Sequence, residues 1–139
     1  MKSADIVISG AGAIGLLTAL GLQHSRHRIT LIDRKPEIVE GGSDDTRMIA
    51  LSKSSCQLLE ELNLWSRLEK SATLIEAVHV SERGVKGSVF MDAKKQGLDS
   101  FGALIPLKDL LYHLTEAVKE SEEIDYRAET TVIDVAYRR

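Results

Sequence analysis

The chain has 139 residues, about one domain's worth, with room for a single hydrophobic core. An apolar fraction of 43% and a charged fraction of 28%, with two prolines and no low-complexity tract, exclude a disordered or fibrous chain. Twenty-one acidic and 18 basic residues are scattered along the sequence for a formal net charge of −3, so no basic field exists to draw a nucleic acid.

The opening Met1-Lys2-Ser3-Ala4-Asp5 lacks the basic region and cleavage site of a signal peptide. The longest apolar stretch, Ala11 to Leu22, is interrupted by Gly12, Gly15, Thr18 and Gly21 and is too short to span a bilayer. Cys56 is the only cysteine, which rules out an internal disulfide and suits a reducing, cytoplasmic setting. Peripheral association with the inner membrane is left open, and Cys56 itself reads as a buried structural thiol.

Asp5 to Ser9 is a short, largely apolar strand followed by Gly10-Ala11-Gly12-Ala13-Ile14-Gly15, after which Leu16, Leu17, Leu20 and Leu22 recur at helical spacing. Arg28 to Asp33 is a second β-rich run, at a distance that suits a right-handed parallel crossover. Pro36 to Asp45 has the composition of a loop. Ser54 with Gln57 has capping-box spacing, and Leu58, Leu59 and Leu62 form one face before Asn63, so a helix is predicted from about Ser54 to Leu62. Ala77 to Ser81 and Ser88 to Met91 flank Arg83-Gly84-Val85-Lys86-Gly87 as a hairpin. Leu107 to Val118 reads as a helix with Leu110, Leu111, Leu114 and Val118 on one face, and Lys119 to Glu123 as its solvated end. Tyr126 to Ala128 and Thr131 to Val135 are the last strand candidates, and the chain reaches Arg139 with no closing helix.

Gly10-x-Gly12-x-x-Gly15 follows a strand, opens a helix, and has an acid, Asp33, ending the next strand eighteen residues after Gly15. In that context it reads as a dinucleotide fingerprint. Gly10 permits the tight turn, Gly12 lets the backbone approach a pyrophosphate, and Gly15 with Ala19 lets the helix lie close to the strand. Unpaired amides near Ala13 and Ile14, with the positive end of the helix dipole, suit phosphate oxygens. Asp33 would accept from a ribose diol, which points to FAD or NAD over NADP. FAD is preferred, because the fingerprint begins within ten residues of the start and the following segments do not continue as βαβ units.

Asp45-Thr46-Arg47-Met48-Ile49-Ala50-Leu51-Ser52, followed by Ser55, Leu59 and Leu64-Trp65, resembles the FAD-dependent aromatic hydroxylases of ubiquinone biosynthesis. Val78-His79-Val80-Ser81-Glu82-Arg83-Gly84 with Gly87, then Gly102-Ala103-Leu104-Ile105, is most similar to the 2-polyprenyl-6-methoxyphenol hydroxylase branch. The resemblance covers nearly the whole chain. It implies an α/β fold, a Rossmann-like FAD-binding domain carrying part of a substrate-domain β-sheet. Residues 1–139 would be a single amino-terminal region with a substrate-sheet hairpin inserted at about 76–106. It also implies NAD(P)H as co-substrate, O2, a polyprenyl phenol substrate and other ubiquinone-biosynthesis proteins as partners. By the same resemblance Arg47 lies near the flavin, the alternative being a surface ion pair with Asp44 or Asp45. Arg34 flanks the adenosine end or is simply exposed. Lys108 stands where the family often has Arg, replacing a bidentate grip by a point charge. Val132 matches a position that contacts adenine through backbone atoms, and Asn63 replaces a glycine at a helix end that Asn tolerates.

His24, His27, His79 and His113 have no metal-ligand spacing with Cys56 or with one another, so no metal site is expected. Ser54-Ser55-Cys56 has neither a partner histidine nor nucleophile-elbow glycines. No general acid or base is assigned by spacing, and every candidate role is in cofactor binding. The related hydroxylases carry an Asp-Gly and a later Gly-Asp motif, and this sequence contains neither dipeptide. The resemblance therefore implies a truncation, a degraded gene product or an excised domain, with an incomplete flavin pocket.

Overall fold

The computed structural model describes residues 4–42, 44–84 and 86–137. Met1 to Ser3 of the opening segment, Val85 of the hairpin connection and the terminal Arg139 lie outside the described residues. The chain divides into two compact units, Met1–Asp45 with Lys108–Arg139, and Thr46–Leu107. In the interposed unit a strand near its start pairs with one near its end, closing both into one sheet.

In the first unit, Ile6–Ser9 form β1, Ala13–Leu22 form α1 and Ile29–Ile32 form β2. β1 and β2 run parallel, with Ile6 opposite Ile29 and Ser9 opposite Ile32, as the crossover length requires. β8, Ile124–Arg127, lies parallel to β2 on its other side. The central position of β2 explains its continuous apolar run. Ile29, Thr30 and Leu31 are all buried, while β1 alternates between half-buried and exposed. At the strand starts, Arg28 holds Asp5 through its amide at 2.9 Å and its Nη2 at 3.2 Å. These hydrogen bonds keep the Asp5 carboxyl below its ordinary pKa, although so exposed a pair adds little stability.

α1 buries Leu16, Ala19 and Leu20. α4, Leu107–Glu120, buries Leu110, Leu114, Thr115, Ala117 and Val118, one face at helical spacing. Thr115 is 1% exposed, and its Oγ1 has no hydrogen-bond partner. A buried hydroxyl without a partner carries an uncompensated desolvation cost. Thr115→Val, nearly isosteric, is therefore expected to raise stability by about 1 kcal/mol. The check is a urea midpoint that rises with an unchanged slope, and a lower midpoint would show that the hydroxyl is satisfied after all.

In the second unit, β3 (Met48–Ser52) and β4 (Thr73–Leu74) both pair antiparallel with β7 (Gly102–Pro106), giving the order β3-β7-β4. α2 runs from Lys53 to Glu61 and buries Cys56 and Leu59. Its cap is not Ser54, as the sequence predicts, but Ser52, whose hydroxyl accepts from the Ser55 amide at 3.2 Å. Ser52 closes β3 in extended geometry, with φ −67 and ψ 163, and so has the backbone an N-cap needs. Asn63 takes φ 57 just after the helix, the left-handed geometry it tolerates. A short turn, α3 (Trp65–Leu68), buries Leu68 beside the buried Leu64.

β5 (Ala77–Ser81) and β6 (Ser88–Asp92) form an antiparallel hairpin, as the two runs flanking a glycine-bearing connection predict. Val78 faces Met91 and Val80 faces Val89, so one side of the ribbon is apolar. The predicted strand from Thr131 to Val135 does not form, since residues 131–137 take no regular structure. An extended segment becomes a strand only by pairing, and among the described residues none pairs with it.

Candidate nucleotide-binding site

The glycine turn is fastened to the sheet at its first residue. Gly10 adopts φ 111, and its amide donates to the Ile32 carbonyl at 2.7 Å. Gly12 then serves as N-cap of α1 with no side-chain cap. The first helical bond runs from the Leu16 amide to the Gly12 carbonyl at 3.0 Å, so the amides of Ala13, Ile14 and Gly15 have no acceptor within the helix. The first turn carries no acid, so no side chain of the helix itself offsets the positive end of its dipole, which suits an anion.

The second and third glycines have different jobs. A Cβ on Gly12 would meet nothing within 4 Å, whereas one on Gly15 would collide with the Gly10 carbonyl oxygen and approach Ile8 Cγ2 at 3.5 Å. Gly15 closes the turn on itself as well as on the strand, and Gly12 keeps the space above the turn open.

Asp33 is more deeply engaged than its sequence position suggests. Its Oδ2 accepts from the Ala11 amide at 2.6 Å and its Oδ1 from the Lys35 amide at 2.7 Å. Its own amide donates to Arg127 at 3.0 Å, and its carbonyl accepts from the Thr130 amide at 2.8 Å. The carboxylate thus ties the glycine turn to the end of β2, and each oxygen retains a lone pair for a hydroxyl donor. Below it, burial pushes the Tyr126 phenol above its ordinary pKa, with the charges of Asp33 and Glu37 adding to the effect.

A cleft of about 330 Å³ opens beside these groups, lined by Gly10, Asp33, Arg34, Lys35, Thr130 and Val132 among others. That volume lies at the lower end of small-molecule sites. The structure therefore brings together Gly10, Asp33, Arg34 and Val132, with Gly12, half-buried Ala13 and exposed Ile14 at the helix start. Val132 joins the cleft from an irregular segment, not from the strand the sequence predicts. Lys108 is exposed in the first turn of α4 and does not line this cleft. Arg47 belongs to the second unit, where its carbonyl accepts from the Leu107 amide at 2.9 Å. Sequence reasoning missed Lys35 and Thr130. The first adjoins Arg34 and could have been included, while Thr130 carries no sequence signal.

Asp33→Ala is expected to lower stability by about 1–2 kcal/mol, because the Ala11 and Lys35 amides lose their acceptor. ADP binding should weaken roughly tenfold with the loss of a ribose contact. Asp33→Asn should fall between. Thermal melts and ADP titrations that leave both quantities unchanged would remove the residue from the site.

The second unit has a cleft of its own, about 380 Å³, lined by Lys53, Cys56, Gln57, Glu60, Trp65 and Leu74 among others. Burial, and secondarily Glu60, pushes the Cys56 thiol above its ordinary pKa, so it is a poor nucleophile. Among the described residues no group of three or more His, Cys, Asp or Glu side chains is placed to hold a metal ion. No helix among them is long and apolar enough to cross a membrane.

The ketopantoate reductase PanE/ApbA family matches residues 6–64, less than half of the chain. The match takes in the glycine turn and β2. The ubiquinone hydroxylase UbiM of Neisseria meningitidis is 27% identical over 137 residues, covering 94% of this chain and 30% of that protein. Among solved structures, p-nitrophenol 4-monooxygenase PnpA from Pseudomonas putida DLL-E4 superposes with a TM-score of 0.74 at 20% identity, over 96% of this chain and 33% of that one. PqsL from Pseudomonas aeruginosa, a probable FAD-dependent monooxygenase, gives 0.74 at 15% identity, over 97% and 35%. The fold is that of the FAD-dependent monooxygenases. Within that monooxygenase fold the chain spans about a third of each solved neighbour, and 20% to 30% of the length of the curated relatives it matches.

Proposed function

We propose that the chain is the FAD-binding amino-terminal part of an aromatic hydroxylase of ubiquinone biosynthesis, of the 2-polyprenyl-6-methoxyphenol branch. The reading assigns it a polyprenyl phenol substrate, NAD(P)H and O2 as co-substrates, and a place in the cytoplasm at the periphery of the inner membrane beside other ubiquinone-biosynthesis proteins. Fold alone does not carry an activity. The observation that supports this reading is the open space over Gly12 beside the unpaired amides of α1, with the Asp33 carboxylate at the adjoining cleft. Those donors suit a diphosphate and that acceptor suits a ribose.

FAD, when bound, supplies oxygen activation and the transfer of one oxygen atom to an electron-rich ring. This chain's residues hold and orient it. The Ala13 and Ile14 amides donate to pyrophosphate oxygens, Asp33 accepts from the ribose, Val132 offers backbone to the adenine, and Arg34 lies at the cleft beside the adenosine. By the family resemblance Arg47 would lie near the flavin, and Lys108 would offer a point charge where the family often has arginine.

The chain alone is expected to bind FAD weakly and to leave NAD(P)H oxidation uncoupled, because productive transfer needs a dry, shaped pocket. Reconstitution with FAD, NADH or NADPH, O2 and a polyprenyl phenol tests this, with hydroxylated product assayed against hydrogen peroxide. Coupled product at about 1 per second or faster would show that the chain needs nothing more.

A second reading is a non-catalytic dinucleotide-binding module. The confinement of the ketopantoate reductase match to residues 6–64 favours it. A bound flavin spectrum separates FAD binding from NAD binding, and NAD(P)H oxidation with O2 separates an enzyme from the module.

A further inference from the structure

We infer that Lys119, in the last turn of α4, is a positioning residue for the adenosine end of the nucleotide cleft, an inference that rests on the dinucleotide reading of that cleft. Through its ion pair with Glu37 it holds the segment after β2 in the conformation that presents Arg34 and Lys35 to the ligand.

One wall of the cleft is a stretch of chain without regular structure. Residues 33–39 take neither helix nor strand, yet Asp33, Arg34 and Lys35 all line the cleft. The first half of the stretch is zipped to the bend after β8. The Asp33 amide donates to the Arg127 carbonyl at 3.0 Å, the Thr130 amide to the Asp33 carbonyl at 2.8 Å and the Glu129 amide to the Lys35 carbonyl at 3.0 Å. Pro36 then brings no amide to donate. Between Pro36 and Gly42 the backbone hydrogen bond among the described residues is a local one, from the Gly42 amide to the Val39 carbonyl at 3.1 Å. The far half of the wall is therefore fastened through a side chain.

Sequence alone places Lys119 in the solvated end of α4, but its Nζ lies 3.1 Å from Glu37 Oε1 and 3.0 Å from Glu116 Oε1. Glu116, one turn back on the same helix, holds the ammonium in place, and Glu37 comes to it from the wall. The C-terminal end of a helix favours a cation there, because the dipole is negative at that end. The Tyr126 phenol on β8 records how near this pair lies to the cleft. Beyond the effect of burial, the charges of Asp33 and Glu37 raise its pKa and that of Lys119 lowers it, so the cleft carboxylate and the ion pair act on one side chain. Neither Glu37 nor Lys119 lines the cleft. Their effect on a ligand therefore passes through the wall that they fix.

The test is calorimetric titration of the full chain with ADP and, separately, with inorganic pyrophosphate. A half-exposed ion pair is a modest contributor, so Lys119→Met and Glu37→Gln are each expected to weaken ADP about threefold. Lys119→Arg keeps the charge and should stay close to the parent. Pyrophosphate, which needs only the glycine turn, should bind all of them alike. Amide exchange at Glu129 and Thr130, which donate into the wall, should quicken by a similar factor in Lys119→Met and Glu37→Gln without any nucleotide. Charges acting only through space would move ADP in opposite directions, weaker without Lys119 and tighter without Glu37. That outcome overturns the inference, as do variants whose ADP affinity and exchange both match the parent's. A parent that binds no ADP overturns the dinucleotide reading and the role of Lys119 with it, whereas unchanged variants of an ADP-binding parent overturn the role alone.

Discussion

Gly12→Val is expected to weaken ADP and FAD binding roughly 100-fold, a loss of about 3 kcal/mol, while the melting curve stays near that of the parent. The Gly12 backbone sits at φ −78 and ψ 179, which valine adopts readily, and its Cβ would meet nothing within 4 Å. The fold therefore loses only the difference between a good and a poor N-cap residue, about 1 kcal/mol. The added methyl groups would occupy the space in which a pyrophosphate must reach the amides of Ala13 and Ile14. Gly15→Val separates this effect from general damage. Its Cβ would collide with the Gly10 carbonyl oxygen, and a backbone neighbour cannot swing aside, so stability should fall by about 3 kcal/mol or more along with binding. Unchanged ADP affinity in Gly12→Val, measured by calorimetry, would take the phosphate role away from this turn.

The second large effect is expected at Gly102, the first residue of β7. Gly102→Ala should destabilise the chain by about 3 kcal/mol or more. Gly102 holds φ 148, which side chains rarely adopt, and an added Cβ would collide with the Leu51 carbonyl oxygen and reach the Ser52 carbonyl carbon at 3.1 Å. Three segments converge there. Ser52 lies opposite Gly102 in the β3–β7 ladder, the Ile75 amide donates to the Gly102 carbonyl at 2.9 Å, and the Lys53 amide donates to the neighbouring Phe101 at 3.0 Å. Relief by backbone shift would break the register that joins both ends of the second unit. Because the residues of the nucleotide cleft all lie in the first unit, ADP affinity of the folded protein should change little. A urea midpoint within error of the parent would show that β7 tolerates the methyl.

The first βαβ unit was legible because each local signal agrees with the next. An apolar run, a glycine turn, a helical face and a second run ending in Asp33 admit one arrangement. The hairpin was legible from two runs, Ala77 to Ser81 and Ser88 to Met91, flanking a glycine-bearing connection. β3 and β7 were not, because Met48–Ser52 joins directly to α2 and Gly102–Pro106 begins with glycine and ends with proline, both of which read as loop. Their pairing is a non-local fact that no short window contains. In the site, the glycines and Asp33 could be named from spacing. The second duty of Asp33, holding the Ala11 amide, depends on the turn folding back over β2, and Thr130 reaches the cleft only through the bend after β8.

Arg83, Gly84 and Lys86 are exposed, and among the described residues β5 and β6 pair only with each other. The backbone can therefore be opened between these strands without removing a bond from either three-stranded sheet. The base of the ribbon stays tied where the Ala93 amide donates to the Glu76 carbonyl at 2.9 Å. Exposed tips of this kind are where chains accept new termini and inserted sequence. The connection is thus a seam for circular permutation, at which a fluorescent reporter can enter while the glycine turn and Asp33 keep their native connectivity.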